Sequence, residues 1–181
     1  MKFQELILKR QSDRQYIDKP IDREIIDRCV EAGRMAPSAS NSQPWSFVVV
    51  DEPILKNKVA FKTFGPLKSF NKFVPQAPVI IAIVMEKPKT ITELGGRIKK
   101  KEYPLIDIGI AAEHICLQAA QDGVGSCMLG WFDERAVKKL LNVPRNKSIP
   151  LLITIGHTPE GYRHRQKIRK EKGVVIKYNS Y

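Results

Sequence analysis

The chain has 181 residues, 43% of them hydrophobic and 28% charged, a size and balance that suit one folded domain with its own core and exclude extensive disorder. Its formal net charge is +12, from 31 Lys and Arg against 19 Asp and Glu, so the surface field attracts anions. Only 8% of residues are aromatic, and the densest basic run, RIKKKEY at 97–103, lacks interleaved aromatic residues for stacking on bases. Small anions such as nucleotide cofactors fit this field better than nucleic acid does.

The N-terminal MKFQELILKR places Phe3, Leu6 and Ile7 on one helical face. It has no secretory apolar core with a small-residue cleavage site, so a cytoplasmic location is expected. The basic connector RQSDRQYIDKP follows, and Asp22 is positioned to cap a second helix in which Ile25, Ile26, Cys29 and Val30 recur at helical spacing. Both helices read as amphipathic. Residues 34–45, RMAPSASNSQPW, then gather small hydroxyl and amide side chains between two prolines. Such a connector lets backbone approach a polar ligand closely, although ordinary loops are built from the same residue types.

SFVVV from Ser46 predicts a strand, ILKNKVAFK a short helix, and VIIAIVM at 79–85 a strand buried on both faces. No apolar run approaches the roughly 20 residues of a membrane span. Residues 87–104 mix Pro, Gly and charge without apolar period and read as a loop. LIDIGIAAEHICLQAAQ at 105–121 is apolar nearly all round, so the helix it predicts must be covered on most sides, a partner subunit being one cover. GVGSCMLG supplies a short strand, DERAVKKLL a helix capped by Asp133, and LLITIGH a strand opened by Pro150. VVIKY in the tail predicts a last strand, free to pair with another sheet edge.

Three cysteines, Cys29, Cys116 and Cys127, show neither a disulfide framework nor metal-ligand spacing, and the histidines are scattered, so no metal is expected. No hydrolytic motif of the GxSxG or HExxH kind is present.

Three segments share a character: RQSDR at 10–14, PSASN at 37–41 and KIRK at 167–170 offer cations or short polar groups, as a phosphate and a polyhydroxyl chain require. In the order RQSDR, APSASNSQPW, DIGIAAEHICLQAAQDGVGSCMLGWFDE, IGH and KIR, the chain resembles the nitroreductase family of flavin enzymes over most of its length. The resemblance implies an α+β fold, with a central, mainly antiparallel sheet wrapped by helices, as a single FMN-binding domain over 1–181. It also implies a homodimer with FMN at the interface. Arg10, Gln11, Ser12 and Arg14 would meet the phosphate and ribityl chain, and Pro37, Ser38, Ala39 and Asn41 would reach across to the neighbouring subunit's flavin. Asn71 would stand against the flavin, Met128, Leu129 and Gly130 would lay backbone over its ring, and Lys167 and Arg169 would grip the phosphate. Gly130 stands where some family members present an acidic residue.

The function implied is FMN-dependent transfer of hydride from NADH or NADPH to a nitroaromatic, quinone or similar acceptor, by a ping-pong mechanism. No catalytic side chain is assigned, because the cofactor carries the chemistry and protons can come from water. A flavin store or redox sensor without turnover is the alternative, and a nucleic-acid-binding module a third reading that rests on charge alone.

Overall fold

A computed structural model describes residues 1–65, 70–87 and 101–181. Helix α1 (Phe3–Lys9) and helix α2 (Arg23–Arg34) come first, followed by strand β1 (Trp45–Val50), helix α3 (Pro53–Ala60) and strand β2 (Val79–Met85). Helix α4 (Tyr103–Gln121), strand β3 (Gly125–Leu129), helix α5 (Glu134–Leu140), strand β4 (Ser148–Gly156) and the one-turn helix α6 (Lys172–Val175) complete the order.

The four strands form one antiparallel sheet in the order β1-β2-β4-β3. Strand β2 shows why the sheet is central. Side chains of a strand alternate between faces, and both of its sets are apolar. Val79, Ile81 and Ile83 pack with Ile26 and Cys29 of α2 and with Ile108, Ala111, Ala112 and Ile115 of α4. Ile80, Ala82 and Val84 pack on the other face with Val59 and Ala60 of α3 and Val137 of α5. The result is a sheet between two helical layers, an α+β arrangement as expected.

Local chemistry accounts for the element ends. Pro104 sits in the first turn of α4, where its missing N–H costs nothing, and the helix starts just ahead of the expected Leu105. Asp133 caps α5 by accepting the Ala136 N–H at 3.0 Å. Asp22 does stand at the head of α2, but it holds that turn through its backbone carbonyl, which accepts from Ile25 and Ile26, and not through its carboxylate. The tail corrects the sequence reading. VVIKY is not a strand; Lys172–Val175 forms α6, and Val174 and Val175 are both 59% exposed. Residues 88–100, the core of the expected 87–104 loop, lie outside the described residues.

Large apolar side chains of α1 and α4 stand exposed. Phe3 and Leu8 of α1 are 63% and 65% exposed, and Leu105 and Ile106 of α4 are 43% and 55% exposed. Among the described residues no helix is long and apolar enough to cross a membrane. All three cysteines are free and buried, and burial pushes the thiols of Cys29 and Cys116 up to about 12, so neither is a reactive thiolate at neutral pH.

Candidate flavin site

The first basic loop, residues 10–14, runs along the edge strand β3. Ser12 forms a parallel bridge with Ser126, and the Asp13 N–H donates to the Ser126 carbonyl at 2.8 Å. Asp13 completes the attachment. Its carboxylate accepts the Ser126 N–H at 3.1 Å and the Gln11 Nε2 at 2.9 Å, and its carbonyl accepts the Tyr16 hydroxyl at 3.0 Å. Burial raises the Asp13 carboxyl above the ordinary range, opposed first by the Ser126 amide and then by Gln11 and by the charges of His164 and Arg165. Only glycine fits beside it, since a Cβ on Gly125 would stand 2.8 Å from Asp13 Oδ2.

The tail returns to the same loop. The Arg165 N–H donates to Gln11 Oε1 at 3.0 Å, the Arg165 guanidinium donates to the Ser12 carbonyl, and Lys167 Nζ donates to the Arg10 carbonyl. The Gln11 side chain is therefore engaged at both ends by the protein itself, which gives it a role in shaping the loop. Arg14 is exposed, and its N–H donates to the Tyr162 hydroxyl at 3.1 Å. Arg169 is exposed and folds its guanidinium onto the Ile168 carbonyl.

Cations dominate here. Arg10 Nε lies 3.2 Å from Glu113 Oε1 of α4, yet this buried nitrogen has no aligned hydrogen-bond acceptor. Partial burial lowers Lys167 below the ordinary lysine range, reinforced by the charges of Arg10, Arg169 and Arg165 and opposed by Glu113. A cluster in which neighbouring cations depress the Lys167 amine, and in which the buried Arg10 Nε has no aligned acceptor, fits a phosphate.

Further along β3 come Met128 and Leu129, then Gly130. A Cβ on Gly130 would meet nothing nearer than Leu151 Cδ2 at 4.0 Å, so a flat group can approach the backbone there. Asn71, in the left-handed region at φ 76°, donates Nδ2 to the carbonyls of Thr63 and Trp131, both at 3.0 Å, and so ties its turn to the residue after Gly130. Loop 10–14, the tail cations, β3 with Gly130 and Asn71 thus lie along one edge of the sheet.

Loop 37–43 attaches elsewhere. Ser38 Oγ accepts the Gln43 N–H at 2.9 Å, Gln43 Nε2 donates to Asn41 Oδ1 at 2.9 Å, and the Ala39 N–H donates to both carboxylate oxygens of Asp107 at 3.2 Å. Pro37 and Asn41 are exposed, and Ser38 and Ala39 half-buried. Ser40, Asn41 and Gln43 all adopt the left-handed region, at φ 52°, 51° and 48°. Each costs roughly 1–2 kcal/mol for a residue with a Cβ, and such strain collects where backbone shape serves function.

Asp13, Glu113, Arg165 and Asp107 are not among the residues singled out in the sequence. Asp13 was inside RQSDR. The signal for the other two acids was their presence in a helix otherwise almost wholly apolar.

A sheet edge carrying a cation cluster and an open glycine suits an anionic, flat ligand. Residues 7–157 match the nitroreductase family model, and the chain belongs to that family; it is an oxidoreductase of a generally flavin-dependent family. It is 34% identical to an Archaeoglobus fulgidus protein provisionally named an NADH dehydrogenase/NAD(P)H nitroreductase, over 84% of this chain and 83% of that one. The solved structure of a nitroreductase family protein from Clostridium novyi NT superposes with a TM-score of 0.78 at 30% identity, covering 91% of this chain and 89% of the other. An FMN-dependent nitroreductase from Clostridium difficile R20291 gives 0.76 at 25% identity, covering 97% and 98%. Relatives also include an iodotyrosine deiodinase from Haliscomenobacter hydrossis, 25% identical over 92% of this chain and 84% of that one.

Proposed function

We propose that the chain, as one FMN-binding domain over residues 1–181, is a cytoplasmic enzyme that takes hydride from NADH or NADPH and reduces a nitroaromatic, quinone or similar acceptor by a ping-pong mechanism. It works as a homodimer with FMN at the interface. The observation that carries this reading is the under-neutralised cluster of Arg10, Lys167 and Arg169, with the Arg10 Nε lacking an aligned acceptor. Bound FMN supplies a two-electron carrier between donor and acceptor; the protein supplies position and electrostatics.

Arg10, Lys167 and Arg169 neutralise the phosphate, while Ser12 and Arg14 flank the ribityl chain. Gln11 shapes that loop from within. Met128, Leu129 and Gly130 offer backbone to the ring, and Asn71 holds the adjoining turn. Pro37, Ser38, Ala39 and Asn41 come from the other subunit. Helix geometry supports this division: Asp107 and Glu113, the α4 anchors of the two loops, are six residues apart, which amounts to about 9 Å of rise and about 240° of rotation. The two loops of one chain therefore meet α4 on different faces, as expected if they serve different cofactors. The exposed faces of α1 and α4 supply the apolar surface for a partner copy.

Heating the purified protein and separating the released flavin is the direct test. FMN is expected; FAD, or no flavin after reconstitution with FMN, rejects the reading.

Lys167 adds a pH dependence. Its amine loses charge at lower pH than an ordinary lysine because burial and neighbouring cations disfavour the charged form, whereas a bound phosphate favours it. FMN affinity should accordingly weaken as pH rises through a range below the usual lysine pKa. A titration of flavin fluorescence against pH checks this, and Lys167→Met should flatten that part of the profile.

A further inference from the structure

We propose that Asp107 is a positioning residue: through the Ala39 amide it holds the strained loop 38–43 in the shape that presents its backbone to the neighbouring subunit's flavin. The proposal rests on the reading that this loop faces a flavin. It concerns a residue that touches neither phosphate nor ring.

Asp107 is out of place by composition. It stands in the first half of α4, between Ile106 and Ile108, and is only 4% exposed. Burial raises its carboxyl above the ordinary range, with the Ala39 N–H acting the other way. A buried acid is costly. Its hydrogen bonds identify what it does there. Both oxygens take the same backbone donor, 68 residues away, at 3.2 Å.

That donor is well placed. Ala39 opens the single turn Ala39–Asn41, directly ahead of Ser40 and Asn41 at positive φ, with Gln43 following. The bonds from Gln43 to Ser38 and Asn41 hold the loop to itself but do not fix its position on the molecule. The Asp107 contact does, because α4 is a rigid element packed on the sheet. Glu113 does the corresponding work for Arg10 from another face of the same helix. One helix therefore sets the spacing of both cofactor loops through two acids. The exposed Leu105 and Ile106 immediately precede Asp107 in sequence, so the anchor lies beside the apolar surface offered to the second copy.

The test compares Asp107→Leu, Asp107→Asn and Ser38→Trp in the full-length protein. It measures FMN affinity by fluorescence, the oligomeric state by light scattering, the melting temperature of the apoprotein and amide hydrogen exchange over residues 37–43. Asp107→Leu removes a buried acid, which stabilises, but leaves the Ala39 N–H without that acceptor and adds volume, which destabilises, so the apoprotein melting temperature should change little. The substitution should nonetheless raise exchange in the 37–43 segment and lower FMN affinity about tenfold or more, the factor carried by one charge-assisted hydrogen bond. Asp107→Asn retains an acceptor and should restore much of that affinity. Wild-type FMN affinity and exchange in Asp107→Leu would overturn the proposal. So would FMN losses in the two Asp107 variants that merely track lost melting temperature, the mark of a structural role alone. If Ser38→Trp expels FMN while Asp107→Leu does not, only the positioning role fails. If Ser38→Trp also binds FMN normally, the placement of the loop against the flavin fails with it.

Discussion

Dimers assembled from one Ser38→Trp chain and one Arg10→Ala chain should hold one FMN, where a wild-type dimer should hold two. If each cofactor is built from loop 10–14 of one subunit and loop 37–43 of the other, both damaged loops fall on one site and the second site is intact. The magnitudes favour a clean result. Arg10→Ala removes a charge-assisted contact worth about 1.5–3 kcal/mol and leaves Glu113 without its cation. Ser38→Trp replaces a half-buried serine whose Oγ accepts the Gln43 N–H with a side chain too large for the loop. Neither change alters Phe3, Leu8, Leu105 or Ile106, the exposed apolar residues offered to a partner, so the chains should still pair. Affinity tags of two kinds isolate the mixed species, and absorbance against protein concentration counts the flavin. Mixed dimers with no flavin would show that each site is built from a single chain, and mixed dimers with two would show that neither loop holds the cofactor.

Gly156→Ala should be among the most destabilising single-methyl changes in the molecule. A Cβ there would stand 2.6 Å from Tyr16 Cδ1 and 2.9 Å from Pro78 Cδ, a ring and a pyrrolidine with little room to yield. Overpacking of this kind costs about 1–3 kcal/mol, which for a chain of this length lowers Tm by roughly 2–4 °C per kcal/mol. The effect should extend to the cofactor. Tyr16 donates to the Asp13 carbonyl and shares a 2.8 Å hydrogen bond with Thr154, so displacing its ring disturbs the loop that Asp13 pins to β3. Thermal unfolding and flavin titration of Gly156→Ala, alone and with Tyr16→Leu, would measure both. The pair should be less destabilised than the sum of the single changes, because the smaller side chain relieves the clash; strict additivity would mean that the ring is not the obstacle.

What could be read from the sequence followed from short-range pattern. VIIAIVM showed itself as a doubly buried strand because both of its alternating sets are apolar, and LIDIGIAAEHICLQAAQ as a largely covered helix because little of its surface is polar. The Asp133 cap was visible because cap and helix are adjacent. The tail strand misled because Val174, Val175 and Ile176 carry strand propensity, yet a strand also needs a pairing partner, and among the described residues the sheet holds only β1 to β4 while this segment forms a helical turn. The residues that assemble the site were hidden for a different reason. Asp13 meets Ser126 across 113 positions and Asp107 meets Ala39 across 68, and no periodicity reports such pairs. RQSDR and PSASN announced that loops mattered; the acids that hold them became visible only in three dimensions.

The return of the tail to the first basic loop has a consequence for biosynthesis. Gln11 and Arg165 are 154 residues apart in sequence, and Arg10 and Lys167 are 157 apart, so the loop is completed only by residues made much later than its own. While the ribosome is still translating, the emerging polypeptide can form α1, α2 and most of the sheet with a half-built phosphate cradle. If the proposed flavin site is right, cofactor capture needs residues 165–169 as well as residues 10–14, so flavin should not serve as a template for folding of the segments made before them.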